Sequence, residues 1–141
     1  MDLTLEAAQK ILATTLAKGR ELGLKPLTVA VLDAGGHLKA LVREDGASTL
    51  RPDIAQGKAG GAIAMGLGSR TLFQRAQEQP YFIQSMNALT GGYLVPVPGG
   101  VLIRNSEGII GAVGVTGDSS DNDEICAITG IEAAGFTADP G

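Results

Sequence analysis

Near the C-terminal end of this 141-residue chain, two apolar runs at residues 101–104 and 109–115 flank Asn105-Ser106-Glu107-Gly108. Asn and Gly tolerate positive φ, so the four intervening residues supply turn chemistry and the runs read as a β-hairpin. Gly117-Asp118-Ser119-Ser120 then breaks the strand, and a helix rich in alanine, isoleucine and glycine follows behind an acidic first turn. A hairpin, a glycine loop and an acid-capped helix in residues 99–136 leave one buried surface for the rest of the chain to cover. Ser119 or Ser120 is placed to cap that helix, with Asp121, Asp123 and Glu124 complementing its dipole.

The upstream chain supplies the cover. Leu5, Ala8, Ile11, Leu12, Thr15 and Leu16 recur at helical spacing, with Thr4 or Asp2 as N-cap and Gly23 closing the C-terminus. Residues 27–33 (LTVAVLD) read as a β-branched strand, Ala34-Gly35-Gly36 as its turn, and Leu38–Arg43 as the returning strand, with His37 on the turn. Pro52 suits the start of a helix over 52–65, whose interior holds Gly57, Gly60 and Gly61. Each glycine costs that helix about 1 kcal/mol relative to alanine, so another backbone is expected to approach closely there, within the subunit or across an oligomer interface. Helices at 70–79 and 81–89, a short non-central strand at 93–97 and a tail at 137–141 complete the reading. Hairpins separated by helices predict one domain over 1–141, an antiparallel sheet with helices on one or both faces.

Charge and composition narrow the partners. A net charge of −4 with no basic run argues against nucleic acid, and apolar runs of about seven residues are far short of a membrane span. No secretory leader is recognisable at the N-terminus, and the expected location is cytoplasmic. One cysteine, Cys126, allows no internal disulfide, and one histidine with one cysteine makes no standard zinc site. Cys126 is expected to be buried and inert. The acids Asp118, Asp121, Asp123 and Glu124 do not have calcium-loop spacing. Gly111, Gly114 and Gly117 match neither dinucleotide nor Walker patterns. His37 can ligate haem iron or transfer protons, or can stand as a solvated turn residue. Arg43, Arg51, Lys58 and Arg104 are candidate carboxylate or propionate partners.

Several segments in order resemble one family: Val31-Leu32-Asp33-Ala34-Gly35-Gly36-His37-Leu38, Arg43-Glu44-Asp45-Gly46-Ala47, Ala55 with Lys58-Ala59, Gly99-Gly100-Val101, the run from Gly108 to Gly117, and Asp123-Glu124. Together they look like the GlcG/HbpS-like family, which includes haem-binding proteins and the C-terminal domain of some corrinoid adenosyltransferases. The resemblance implies a profilin-like α/β (α+β) fold, a central antiparallel sheet of about five strands flanked by helices, assembled as a homo-oligomer, dimer or larger ring. It implies an oligomeric binder of haem or a related tetrapyrrole, held where helices meet the sheet or between subunits. His37 would be the axial metal ligand, Arg43 and Lys58 the propionate partners, and Gly99-Gly100 a backbone contact. The aromatic content of 4% offers few walls for a large flat ligand. The alternative is an enzyme on a small carboxylate or hydroxy acid, clamped by arginines, with Asp45 or Glu124 as general base. A ligand-free structural oligomer is a third reading.

Overall fold

A computed structural model describes residues 2–141. Helix α1 (Leu5–Glu21) is followed by strands β1 (Thr28–Asp33) and β2 (Leu38–Arg43), then helices α2 (Arg51–Met65), α3 (Ser69–Glu78) and α4 (Pro80–Leu89). Strands β3 (Gly100–Asn105) and β4 (Gly108–Thr116), helix α5 (Ser120–Ala133) and strand β5 (Thr137–Asp139) complete the order. The five strands form one antiparallel sheet in the order β2-β1-β4-β3-β5. The α+β architecture and the two hairpins stand as the sequence predicts.

Local chemistry sets the element ends. Thr4 Oγ1 accepts from Ala7 N–H at 3.1 Å, and Ser119 Oγ accepts from Asn122 N–H at 3.2 Å. Gly23, at φ 67°, ends α1, with its N–H on Arg20 O and the Leu24 N–H on Gly19 O. These paired bonds satisfy carbonyls that a helix end otherwise leaves open.

The period of two divides the sheet into two faces. Val29, Val31, Val101, Ile103, Val113 and Val115 face α1 and α5, burying Ile11, Cys126 and Ile131 with them. Leu32, Leu102 and Ala112 face α2 and meet Ala59 and Ala62. Small residues let α2 lie close on this face. A Cβ at Gly114 would overlap Ala55 O, and one at Gly100 would overlap Lys58 O. The helix glycines have the same cause on the opposite side: a Cβ at Gly57 would overlap Tyr93 O, and one at Gly61 would stand 3.0 Å from Leu94 Cγ. The close approach is therefore made within the chain. A separate cluster of Leu72, Ile83 and Leu94 joins α3 to α4 and the segment beyond.

Two expectations fail. Residues 93–97 form no strand; the Val95 N–H bonds to Gly57 O on α2, the Leu94 N–H bonds to Asn87 Oδ1, and Pro96 and Pro98 have no N–H for a ladder. The tail at 137–141 instead includes strand β5, registered with Leu102–Arg104 of β3 and held by Arg104 Nε on Asp139 Oδ2 at 2.7 Å.

Candidate functional site

A cleft of about 780 Å³ lies between α2, the β1–β2 turn and the 91–95 segment. Leu32, Gly36, Ile54, Gly60, Ile63 and Tyr93 are among its walls. Its size falls within the usual range for small-ligand pockets. The glycines of α2 have a second consequence here: without side chains they leave room that a continuous alanine helix would fill.

His37 stands on the turn at this cleft's edge, its side chain 83% exposed. A Cβ at Gly35, which lines the cleft, would stand 2.9 Å from His37 Nδ1, so the ring lies against that turn. Asp33 organises the same turn. Its Oδ1 accepts from the Gly35 and His37 N–H groups at 2.9 and 3.0 Å and lies 3.5 Å from His37 Nδ1. The His37 backbone bond, more than any other contact, holds the Asp33 carboxyl below the usual carboxylate range.

Lys58, Gly99 and Gly100 converge elsewhere, in the interior. Lys58 is 2% exposed; its Nζ donates to Val115 O at 2.8 Å and to Asp123 Oδ2 at 3.2 Å. The other Asp123 oxygen accepts the Asp118 N–H at 3.0 Å, and the Gly100 N–H donates to Ser69 Oγ at 2.7 Å. Burial pulls the Lys58 pKa down and pushes that of Asp123 up, against the attraction of each for the other. This lysine is an internal ion-pair partner joining α2, β4 and α5, with no ammonium surface to offer a propionate. The expectation that it would meet a ligand is corrected by its burial.

The remaining candidates are dispersed. Arg43 closes β2 at the end opposite His37, roughly 20 Å away at about 3.3 Å per strand residue. It donates to Ala47 O and lines a groove of about 420 Å³ with Arg20, Pro26, Glu44 and Asp45. Asp45 is exposed there. Glu124 accepts from Arg70 Nε at 2.9 Å, while Arg70 Nη2 reaches Asp121 at 2.6 Å. Asp45 and Glu124 therefore share no site. Asp118 accepts from Asn122 Nδ2 and from the Ser119 and Lys25 N–H groups; these bonds, Asn122's foremost, lower its pKa to about 2. Cys126 is fully buried, and desolvation pushes its thiol up to about 11. No group of three or more His, Cys, Asp or Glu among the described residues is arranged to hold a metal ion.

Sequence reasoning missed Tyr93 and Leu50 as cleft walls, and Asp123 as the partner of Lys58. Positions 58 and 123 carry no shared spacing signal; only a charged residue among alanines and glycines in α2 marks the first as unusual.

These features define a five-stranded α+β domain with one face covered closely by a glycine-rich helix, and an apolar cleft on that helix. The chain belongs to the HbpS-like family: residues 3–132 match the family described as "Haem degrading protein HbpS-like". It is 30% identical over 132 residues to a Citrobacter freundii protein described as an uncharacterized 15.0 kDa protein in the dhaT-dhaS intergenic region, covering 92% of this chain and 90% of that one. The Klebsiella pneumoniae protein ORFY has a similar fold, with TM-score 0.85, 26% identity and coverage of 94% and 90%. The structure of a PduOC–haem complex is also similar in fold, with TM-score 0.87, 23% identity and coverage of 96% and 97%. No helix among the described residues is long and apolar enough to cross a membrane.

Proposed function

We propose that this protein binds haem or a related tetrapyrrole in the cleft beside α2, with His37 as the axial ligand to iron. The observation that carries this reading is the position of the chain's one histidine against the glycine turn that walls an apolar cleft of ligand size. Asp33 beside Nδ1 would orient the ring and leave Nε2 for the metal, the arrangement in which a carboxylate fixes a ligating imidazole. Tyr93 supplies the aromatic wall, Leu32, Ile54 and Ile63 the aliphatic ones. The family's haem-related description and the haem complex of the structurally similar PduOC support the ligand class. Self-assembly into a dimer or larger ring belongs to the same proposal, since a neighbouring copy would close the exposed side of the cleft.

The test is a haem titration followed by absorbance, on wild type, His37→Ala and Ala64→Trp. Ala64 is an exposed cleft residue, so tryptophan there fills the cleft without disturbing the core. A saturable Soret shift is expected in the wild type, absent in His37→Ala and weakened in Ala64→Trp. An unchanged shift in both variants would overturn the reading.

A further inference from the structure

We infer that a second site, for a small oxyanion, lies where the ends of β1, β2 and β4 meet the first turn of α2. It is built from Thr28, Thr116, Arg43 and Arg51. Thr28 pairs directly with Arg43 of β2 on one side and with Thr116 of β4 on the other. Because Val29, Ala40 and Val115 pack toward α1 and α5, Thr28, Arg43 and Thr116 lie on the α2 face. Arg51 descends from α2 onto the same row, its Nη1 donating to Thr116 Oγ1 at 2.7 Å.

Two observations point to an absent ligand. Thr28 is fully buried, and its Oγ1 has no hydrogen-bond partner, the one such buried side-chain atom among the described residues. Buried hydroxyls are ordinarily satisfied. The second observation is charge. Arg20, Arg70 and Arg104 each pair with a carboxylate, and Arg75 lies over the Phe82 ring. Arg43 and Arg51 take only neutral acceptors, Ala47 O and Thr116 Oγ1, and form no ion pair among the described residues.

Of the nearby acids, Asp45 lines the mouth of the groove beside Arg43 and is exposed there, while the other two are engaged. Glu44 holds the Leu27 N–H and Arg20, and Asp123 holds Lys58, whose own charge adds to that of Arg51. Two guanidinium groups with spare N–H donors therefore flank an unpartnered hydroxyl and a threonine whose O–H remains free to donate. That donor set suits a carboxylate or phosphate oxygen, the acceptors that guanidinium forks bind best. The groove beside Pro26 and Arg43 opens this end of the sheet to solvent. Entry requires Arg43 to exchange Ala47 O for the ligand. This site is distinct from the haem cleft, which is walled by Ile54, Gly57 and Gly60 on another side of α2.

The test is amide NMR of the full chain, titrated separately with inorganic phosphate and with acetate against chloride at equal ionic strength. Saturable shifts confined to residues around Thr28, Arg43, Arg51 and Thr116 are expected with at least one anion. Response to phosphate alone identifies a phosphoryl ligand, and response to acetate alone a carboxylic acid; either supports the site. Arg51→Gln is expected to weaken binding about tenfold or more, as the loss of a charge-assisted hydrogen bond does. Thr28→Val, which keeps the shape and removes only the unpartnered hydroxyl, should weaken binding several-fold while the protein stays folded. Arg75→Gln should leave it unchanged. No saturable shift with either anion, shifts that map elsewhere, or wild-type affinity in both Arg51→Gln and Thr28→Val would overturn the inference.

Discussion

Replacing Asp123 by Asn removes one charge from the interior and almost no volume, leaving the Lys58 ammonium without its counter-ion. The side chains of both partners are 2% exposed, so water cannot take the place of the lost carboxylate. Breaking a buried pair in this way costs about 3–5 kcal/mol. An independent limit comes from discharging the lysine instead. From its ordinary pKa of 10.5, that costs about 5 kcal/mol at pH 7, at 1.36 kcal/mol per unit. The two routes agree, and a loss near 4 kcal/mol lowers Tm by about 14 °C in a domain of this size. The pH dependence separates this cause from ordinary packing damage. In the variant, the folded-state Lys58 pKa lies below its unfolded value, so between the two the unfolded chain binds more protons. Stability relative to wild type should therefore recover as pH rises toward 10. Urea denaturation of both proteins from pH 6 to 10 measures this. A loss below about 1 kcal/mol at pH 7, or a loss that stays constant to pH 10, would refute a charged pair at this position.

Gly114→Ala should destabilise by about 3 kcal/mol, because its Cβ would meet Ala55 O and stand 3.1 Å from Ala59 N, both backbone atoms. Gly23→Ala, at φ 67° but with open space around it, should cost only about 1–2 kcal/mol; urea midpoints compare the two, and equal losses would remove the packing explanation. Asp118, with its pKa lowered to about 2, contributes stability that is present above its ordinary value of 3.8 and is lost as pH falls toward 2. Asp118→Asn should accordingly flatten the acid limb of the stability profile between pH 4 and 2, measured by denaturant midpoint at each pH.

What could be read from the sequence was governed by contacts close along the chain. Thr4, Gly23 and Ser119 act within a few residues of themselves, and the end residues of β2 follow from turn and alternation signals around them. The apolar runs on either side of Asn105–Gly108 did form a hairpin, since that turn is local chemistry. The 93–97 segment was misread because its apolar alternation matches a strand, while its actual partner is the glycine face of α2, more than thirty residues earlier. Strand β5 was missed because three residues, Thr137–Asp139, are too few for a periodic signal; Arg104 and β3 make it a strand. Similarly, Lys58 reads from the sequence as one more candidate propionate partner, because its true partner is 65 positions away. His37 was placed on its turn, yet nothing in the sequence indicated that the cleft would open beside it.

The pairing of β1 with β4 joins Thr28 to Thr116, and α1 packs against α5, so the centre of the molecule is assembled from its two ends. Such non-local pairing slows folding, because a long loop must close before the contacts form. During synthesis at about 5–20 residues per second, the β1–β2 hairpin precedes the end of β4 by roughly 4–15 s. Through that interval the Val29 and Val31 edge of β1 has no neighbour on the β4 side. The nascent chain thus presents an open, β-branched strand edge whose proper partner has yet to be made, and at that stage it is most exposed to pairing with the wrong chain.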